Sequence, residues 1–409
     1  MNPAIGENAM TRSQALIRQA ETYSAHNYHP LDVVIEKGEG VWVWDADGRK
    51  FLDCLSAYSA LNQGHRHPAI VAALIEQSGR VTLTSRAFHN ALMGPFLQEL
   101  CEYTGMELAL PMNTGAEAVE TAVKTARKWG YQVKGVPRDA AQIIVCEGNF
   151  HGRTTMIVGF SSEAQYKEGF GPFAPGFTLI PYGDAGALRR AITPNTVGFL
   201  VEPVQGEGGV IVPPEGYLRE TRAICGENRV LLMADEIQTG FGRTGRRFAC
   251  DREDVVPDIL ILGKALGGGV YPVSAVCASR EILGVFRPGD HGSTFGGNPL
   301  GAAVGRAALR VLREERLAER AEELGGYFMD QLRAIDAPCV EQVRGRGLLI
   351  GVVIRKSHGL ARPYCERLRD EGILAKETHD QVIRFAPPLV IQREEINWML
   401  ARIGKVLRG

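Results

Sequence analysis

The chain of 409 residues is 45% hydrophobic and 23% charged, with a formal net charge of −1. That balance gives no electrostatic reason to expect a nucleic acid or an anionic membrane surface as partner, and no apolar stretch is long enough to span a bilayer. A single small core is excluded at this length, and two or three domains are expected.

The stretch 1–20 is polar and carries Glu7 as well as Arg12 and Arg18. It has neither a hydrophobic signal core nor the acid-free composition of a transit peptide. The first sixty residues hold a strand of their own, Val41-Trp-Val-Trp44, with a turn at Asp47-Gly48. A helix is expected over Ala116–Trp129, with Thr114 and Glu117 forming a capping box at its start. Buried strands then follow at Ile143–Cys146, Val197–Val201, Val230–Ala234, Ile259–Leu262 and Val273–Cys277, with a helix at Gly216–Asn228 between them. Continuous apolar runs bounded by glycine or charge suit a mostly parallel sheet covered on both faces, which makes the fold class α/β.

After Gly301 the spacing turns helical through Val304, Ala308, Val311 and Leu312, then Leu317, Ala321, Leu324 and Phe328. Leu348–Ile350 and Val382–Phe385 read as strands of a smaller α+β unit. The expected organisation is a large domain over 63–304 and a small domain built from both termini, 1–62 and 305–409. The eight cysteines are scattered without a Cys-x-x-Cys pair. That is the usage of a reducing compartment, so a cytoplasmic chain without a metal site is expected.

Chemistry concentrates at the ends of the apolar runs. Val230–Ala234 leads into Asp235, and Asp258-Ile-Leu-Ile-Leu-Gly263 leads into Lys264. Taken alone, such a pair is more often a structural salt bridge at the rim of a sheet. A buried ammonium is strongly disfavoured unless it is paired, neutralised or covalently used. Pyridoxal 5'-phosphate uses both residues: the lysine amine condenses with its aldehyde, and the aspartate holds the proton on its pyridine nitrogen.

Other loops add to this pair. Gly115 and Ala116 present free amides at a helix start, where a phosphate is favoured, although Thr-Gly there is by itself only a cap. Gly148-Asn-Phe-His-Gly-Arg153 offers Phe150 for stacking and Arg153 for a carboxylate, with His151 packing or hydrogen-bonding beside the ring; a plain turn accounts for it equally. Glu202 and Glu207 follow a strand closely and suggest electrostatic gating near Arg384, with solvated acids as the alternative. The loop His291–Asn298 contains Ser293 and Thr294, suited to a phosphate or to an ordinary turn. Tyr28, Tyr58 and Arg384 carry no signal of their own.

Together these segments resemble the class III, or ω-, aminotransferases of the aspartate-aminotransferase fold (PLP fold type I), over nearly the whole chain. Asp235-Glu-Ile-Gln-Thr-Gly240 followed by Gly263-Lys264-Ala-Leu-Gly-Gly carries the class. Asn27-Tyr28-His29-Pro30, Tyr58-Ser-Ala-Leu-Asn-Gln-Gly64, Leu83–Phe88, Met112–Gly115 and Ile383–Pro388 are similar to its ornithine-using branch.

The resemblance implies an aminotransferase alternating between ornithine and 2-oxoglutarate in a ping-pong cycle. It implies that Lys264 binds the cofactor aldehyde and shuttles the proton, Asp235 pairs with the pyridine nitrogen, and Gln238 meets the phenolic oxygen. Phe150 and Ile237 would sandwich the ring, and Gly115 and Ala116 would hold the phosphate. Ser293 and Thr294 would reach that phosphate from a second subunit, making a homodimer the catalytic unit. Tyr28 and Arg153 would grip the α-groups of ornithine, and Tyr58 would line the pocket. Arg384 would hold the α-carboxylate of 2-oxoglutarate, neutralised by Glu207 while ornithine is bound.

His151 departs from members that carry tryptophan at this place. The chain starts too close to Tyr28 for a cleaved leader of usual length to be expected. Competing readings are an ω-aminotransferase for N-acetylornithine or 4-aminobutyrate, an aminomutase on the same fold, and a cofactor-binding regulator without turnover.

Overall fold

The computed structural model describes residues 10–409. Its centre is a seven-stranded sheet in the order Leu108–Met112, Ser274–Ala278, Ile259–Leu262, Leu231–Asp235, Thr196–Val201, Gln142–Cys146 and Phe177–Ile180. The last five run parallel. Ser274–Ala278 is antiparallel to both of its neighbours. The apolar runs account for the five interior strands, and every residue of Thr196–Val201, Leu231–Asp235 and Ile259–Leu262 is buried.

The sheet is covered on both faces, and alternate side chains divide between them. Leu231, Met233, Ile259 and Ile261 pack with Val119, Ala122, Val123 and Ala126 of the helix Gly115–Trp129. Leu232, Ala234, Leu260 and Leu262 pack with Leu218 and Ile224 of the helix Tyr217–Glu227 and with Val304 and Ala308 of Pro299–Glu314. Each fully buried Val, Leu, Ile or Met among them contributes about 1.5–3 kcal/mol, and because side chains alternate along a strand a shift of one residue in register would turn both faces over. Gly130 is fixed by this packing, since a Cβ there would lie 2.3 Å from Val197 Cγ1.

Two smaller sheets flank the core. Ile35–Glu39, Trp42–Asp45 and Lys50–Asp53 form an antiparallel meander, and Ile373–Leu374 pairs in parallel with its last strand. The expected turn is present, with Gly48 at φ +86° and its N–H donating to Asp45 O at 3.0 Å. Val340–Arg346, Leu349–Ile354, Val382–Phe385 and Lys376–Thr378 form the other sheet, all antiparallel. The expected late helices are Pro299–Glu314 and Leu317–Arg333. No helix among the described residues is long and apolar enough to cross a membrane.

Between the N-terminal meander and the core, Ser56, Ala57, Tyr58 and Ser59 have φ of 51°, 46°, 60° and 72°. Four successive residues with side chains form one left-handed helical turn, at about 1–2 kcal/mol each. Such a turn persists only where its surroundings over-determine it.

Candidate active site

Parallel strands that start on one edge of a sheet finish on the other, and the loops leaving their carboxyl ends converge. Asp235 is the last residue of Leu231–Asp235, the loop of Phe150 and His151 follows Gln142–Cys146, Glu202 follows Thr196–Val201, and Lys264 follows Ile259–Leu262 after Gly263. One cavity is lined by all of these residues together with Gly115, Ala116, Glu207, Ile237 and Gln238. Ten of the residues singled out from the sequence thus meet at one place.

Asp235 is 5% exposed and its Oδ2 lies 2.6 Å from His151 Nδ1. A carboxylate can only accept, so His151 Nδ1 carries the proton and donates it. The second oxygen, Oδ1, accepts from Ile237 N at 3.1 Å. Burial disfavours the charged imidazole, but the hydrogen bond and charge of Asp235 outweigh it and raise the His151 pKa. His151 Nε2 is buried without a partner. Glu202 accepts from Phe150 N at 2.9 Å, and burial pushes its pKa up to about 7.

Lys264 has φ +45° and opens a short 3-10 turn, Lys264–Gly267. The two acids that raise its pKa most, Glu207 and Asp235, are paired elsewhere, with Arg384 and His151. Burial dominates, and the Lys264 pKa is lowered. A larger share of neutral amine is the consequence.

The helix beginning at Gly115 carries the expected capping box. Thr114 Oγ1 accepts from Glu117 N at 3.2 Å, and Glu117 Oε2 accepts from Thr114 N at 2.7 Å. The Gly115 and Ala116 amides have no helical acceptor in this first turn, and both residues line the cavity. Gln238 Nε2 donates to Glu207 Oε1 at 3.1 Å, while Gln238 Oε1 is buried without a partner. Gly206 makes room for that amide, since a Cβ there would sit 1.4 Å from Gln238 Oε1.

Arg384 lies at the edge of this group, 1% exposed on the strand Val382–Phe385. Its NH1 donates to Glu207 Oε1 at 2.6 Å, and its guanidinium carbon lies 4.9 Å from the Tyr58 ring centroid. Burial of Glu207 opposes its charge, but Arg384 and then Lys264 outweigh this and lower its pKa.

Tyr28 and Arg153 are not in the first cavity. They line a neighbouring one with Asn27 and Tyr166, where the Arg153 guanidinium carbon sits 3.6 Å from the Tyr166 centroid. Tyr28 is 75% exposed. Ser293 and Thr294 are also outside; Ser293 Oγ accepts from Asn113 Nδ2 and Gly296 N, both at 3.0 Å. Sequence reasoning missed Thr239 and Gly152 on the cavity wall and Tyr166 beside Arg153. Thr239 stands inside the Asp235–Gly240 motif, which was signal enough; Tyr166 lies in a polar stretch without pattern.

The cavity suits pyridoxal phosphate on its own terms. It offers a half-buried amine with a lowered pKa, an aspartate anchored from behind, two free helix-start amides, an unpartnered amide oxygen, and Phe150 and Ile237 on its walls.

Residues 23–407 match the family model for aminotransferase class-III. The ornithine aminotransferase of Geobacillus sp. (strain WCH70) is 61% identical over 400 residues, covering 98% of this chain and all of that protein. The structure of the ornithine aminotransferase from Toxoplasma gondii, crystallised with oxidized glutathione and with partial occupancy of PLP at its active site, superimposes with TM-score 0.96. It is 46% identical and covers 99% of this chain and 98% of its own. An acetylornithine aminotransferase from Elizabethkingia anophelis gives TM-score 0.88 at 48% identity, covering 97% and 98%. With a family match over nearly its whole length and such relatives, the chain belongs to the class-III aminotransferases.

Proposed function

We propose that this protein is a pyridoxal phosphate-dependent ornithine δ-aminotransferase, converting L-ornithine and 2-oxoglutarate into L-glutamate 5-semialdehyde and L-glutamate. Its fold is the PLP fold type I of the family. The observation that carries the substrate assignment is the buried Arg384 held by Glu207 beside Lys264. A site that must take a diamine and a diacid in turn needs a cation that can be masked.

When bound, pyridoxal phosphate supplies an electrophilic aldehyde and an electron sink for the bonds at the reacting carbon. Lys264 would hold the aldehyde, Asp235 the ring nitrogen, Gln238 the phenolic oxygen, and the Gly115 and Ala116 amides the phosphate. Phe150 and Ile237 would cover the ring faces. His151 donates from Nδ1 to Asp235 and fixes the direction of that carboxylate, while Glu202 accepts from the Phe150 backbone N–H. Lys264, with its lowered pKa, then moves the proton at the substrate carbon.

Substrate choice falls to a second set. Tyr28 and Arg153 take the α-amino and α-carboxylate groups of ornithine, placing the δ-amine at the reacting centre, and Tyr58 walls the pocket. Glu207 neutralises Arg384 while ornithine is bound. The α-carboxylate of 2-oxoglutarate displaces Glu207 and takes Arg384, with Arg153 receiving the distal carboxylate.

The catalytic unit is a homodimer, a reading supported by Ser293 and Thr294, which lie outside their own subunit's cavity although their hydroxyls suit a phosphate. Eight free cysteines support a cytoplasmic location. The parallel pairing of Leu52 and Asp53 with Ile373 and Leu374 supports a small domain built from 1–62 and 305–409 beside a large one over 63–304.

The 48% identity to an acetylornithine enzyme keeps one second reading in play. The decisive test adds L-ornithine, N-acetylornithine or 4-aminobutyrate singly to the yellow holoenzyme and follows loss of its visible absorbance. Ornithine is expected to bleach it fastest; fast bleaching by N-acetylornithine with none by ornithine overturns the assignment.

A further inference from the structure

The left-handed turn Ser56–Ser59 ends on Tyr58 and Ser59, and its conformation is unfavourable for every residue in it. Three groups hold it. Asp53 Oδ1 accepts from Leu55 N at 2.8 Å and from Ser56 N at 2.9 Å, while Asp53 Oδ2 is bound by His65 Nε2 at 2.8 Å. Ser56 Oγ donates to Ala386 O at 2.7 Å, two residues beyond Arg384. Asn62, just after the turn, donates to Phe241 O at 2.9 Å and accepts from Arg243 NH2 at 2.6 Å. Among the described residues, the Asp53 carboxylate is the one side-chain acceptor for the backbone N–H groups where the chain changes hand. The turn it starts carries the Tyr58 ring to the Arg384 guanidinium.

We propose that Asp53 is a positioning residue for the second substrate: it sets the left-handed turn and, through Tyr58, seats Arg384 to receive the α-carboxylate of the keto acid. This rests on the assignment of Arg384 and Tyr58 to the substrate pocket. The ornithine half-reaction, in which Arg384 is masked by Glu207, needs that seat less than the keto-acid half-reaction does. Asp53 touches neither substrate nor cofactor residue, so its effect must pass through the turn.

The test is made on holoenzyme, with each half-reaction followed separately by absorbance. Asp53→Ala is expected to raise the half-saturating concentration of 2-oxoglutarate about tenfold, the lower end of what one charge-assisted contact is worth, while ornithine half-saturation moves less than twofold. Asp53→Asn keeps an oxygen acceptor for Leu55 and Ser56 and is expected to restore wild-type behaviour. Tyr58→Ala combined with Asp53→Ala should add little to either alone. Should Asp53→Ala fail to fold, Ala57→Pro at an exposed position breaks the same turn, because proline cannot adopt φ +46°. It carries the same expectation. Equal losses in both half-reactions, full additivity with Tyr58→Ala, or no effect overturn the proposal. Failure of wild-type holoenzyme to react with ornithine overturns the functional assignment instead.

Discussion

Removing Glu207 separates masking from catalysis. Arg384 is 1% exposed and Glu207 is its one carboxylate partner among the described residues, at 2.6 Å. Glu207→Ala leaves a buried guanidinium without its counter-charge, a loss of about 3–5 kcal/mol in stability. In the folded fraction the same cation is free to draw the α-carboxylate of ornithine, which brings the α-amine to the reacting centre. A charge-assisted hydrogen bond is worth about 1.5–3 kcal/mol, so the ratio of α- to δ-reaction should rise about 10- to 150-fold. The assay is proton exchange of ornithine in deuterium oxide, with loss of the Cα and Cδ proton signals followed together by NMR. That ratio is internal, so a reduced folded fraction leaves it unchanged. Glu207→Gln keeps an acceptor without the charge and should fall between wild type and alanine. A Glu207→Ala ratio within twofold of wild type refutes masking.

Three further outcomes follow from the site. Burial raises Glu202 to about 7, so its protonated form favours the fold: that contribution is complete below the ordinary value of 4.5 and is lost as pH rises through about 7. Glu202→Gln should therefore gain about 3 kcal/mol relative to wild type between pH 4 and 8, read by urea denaturation; parallel pH curves would count against it. The lowered Lys264 pKa has the opposite sign, since the fold favours the neutral amine and stability is lost as pH falls through the folded pKa. Lys264→Met apoprotein should gain on wild-type apoprotein as pH falls while turnover disappears, and a constant difference would show that the amine is not penalised by burial. Gly206→Ala drives a Cβ into Gln238 Oε1 and should weaken cofactor retention about tenfold, the equivalent of one lost hydrogen bond; equilibrium dialysis at wild-type affinity would exclude this role for Gln238.

Interior strands were legible because burial on both faces demands unbroken apolar runs. The two strands that escaped notice are the two edges of the sheet. Leu108–Met112 contains Pro111, which an edge tolerates because its missing N–H faces no neighbour. Phe177–Ile180 has one fully buried residue of four. The chemistry of Lys264 and Asp235 was legible for the same reason as the interior strands, because charges directly after buried runs are costly unless used. Tyr58 was placed only by resemblance. Nothing in Ser-Ala-Tyr-Ser foretells four positive φ angles, since the bonds that hold them come from Asp53, Ala386 and Asn62, and the Arg243 contact behind Asn62 spans 181 positions. Arg384 was equally silent, since one arginine in a strand acquires meaning only from Glu207, which arrives on the loop after Thr196–Val201.

The two halves of the site are joined at a single atom. Glu207 Oε1 accepts from both Arg384 NH1 and Gln238 Nε2. Gln238, on the loop that leaves Asp235, lines the cavity with Lys264, and Arg384 stands on the antiparallel sheet that holds Val382–Phe385. While Arg384 holds that oxygen at 2.6 Å, the Gln238 bond is the longer and weaker one, at 3.1 Å. A diacid that takes Arg384 away leaves the full charge of the carboxylate to Gln238 and strengthens that bond. On the proposed exchange of partners, the second substrate would therefore be felt at Gln238 through Glu207.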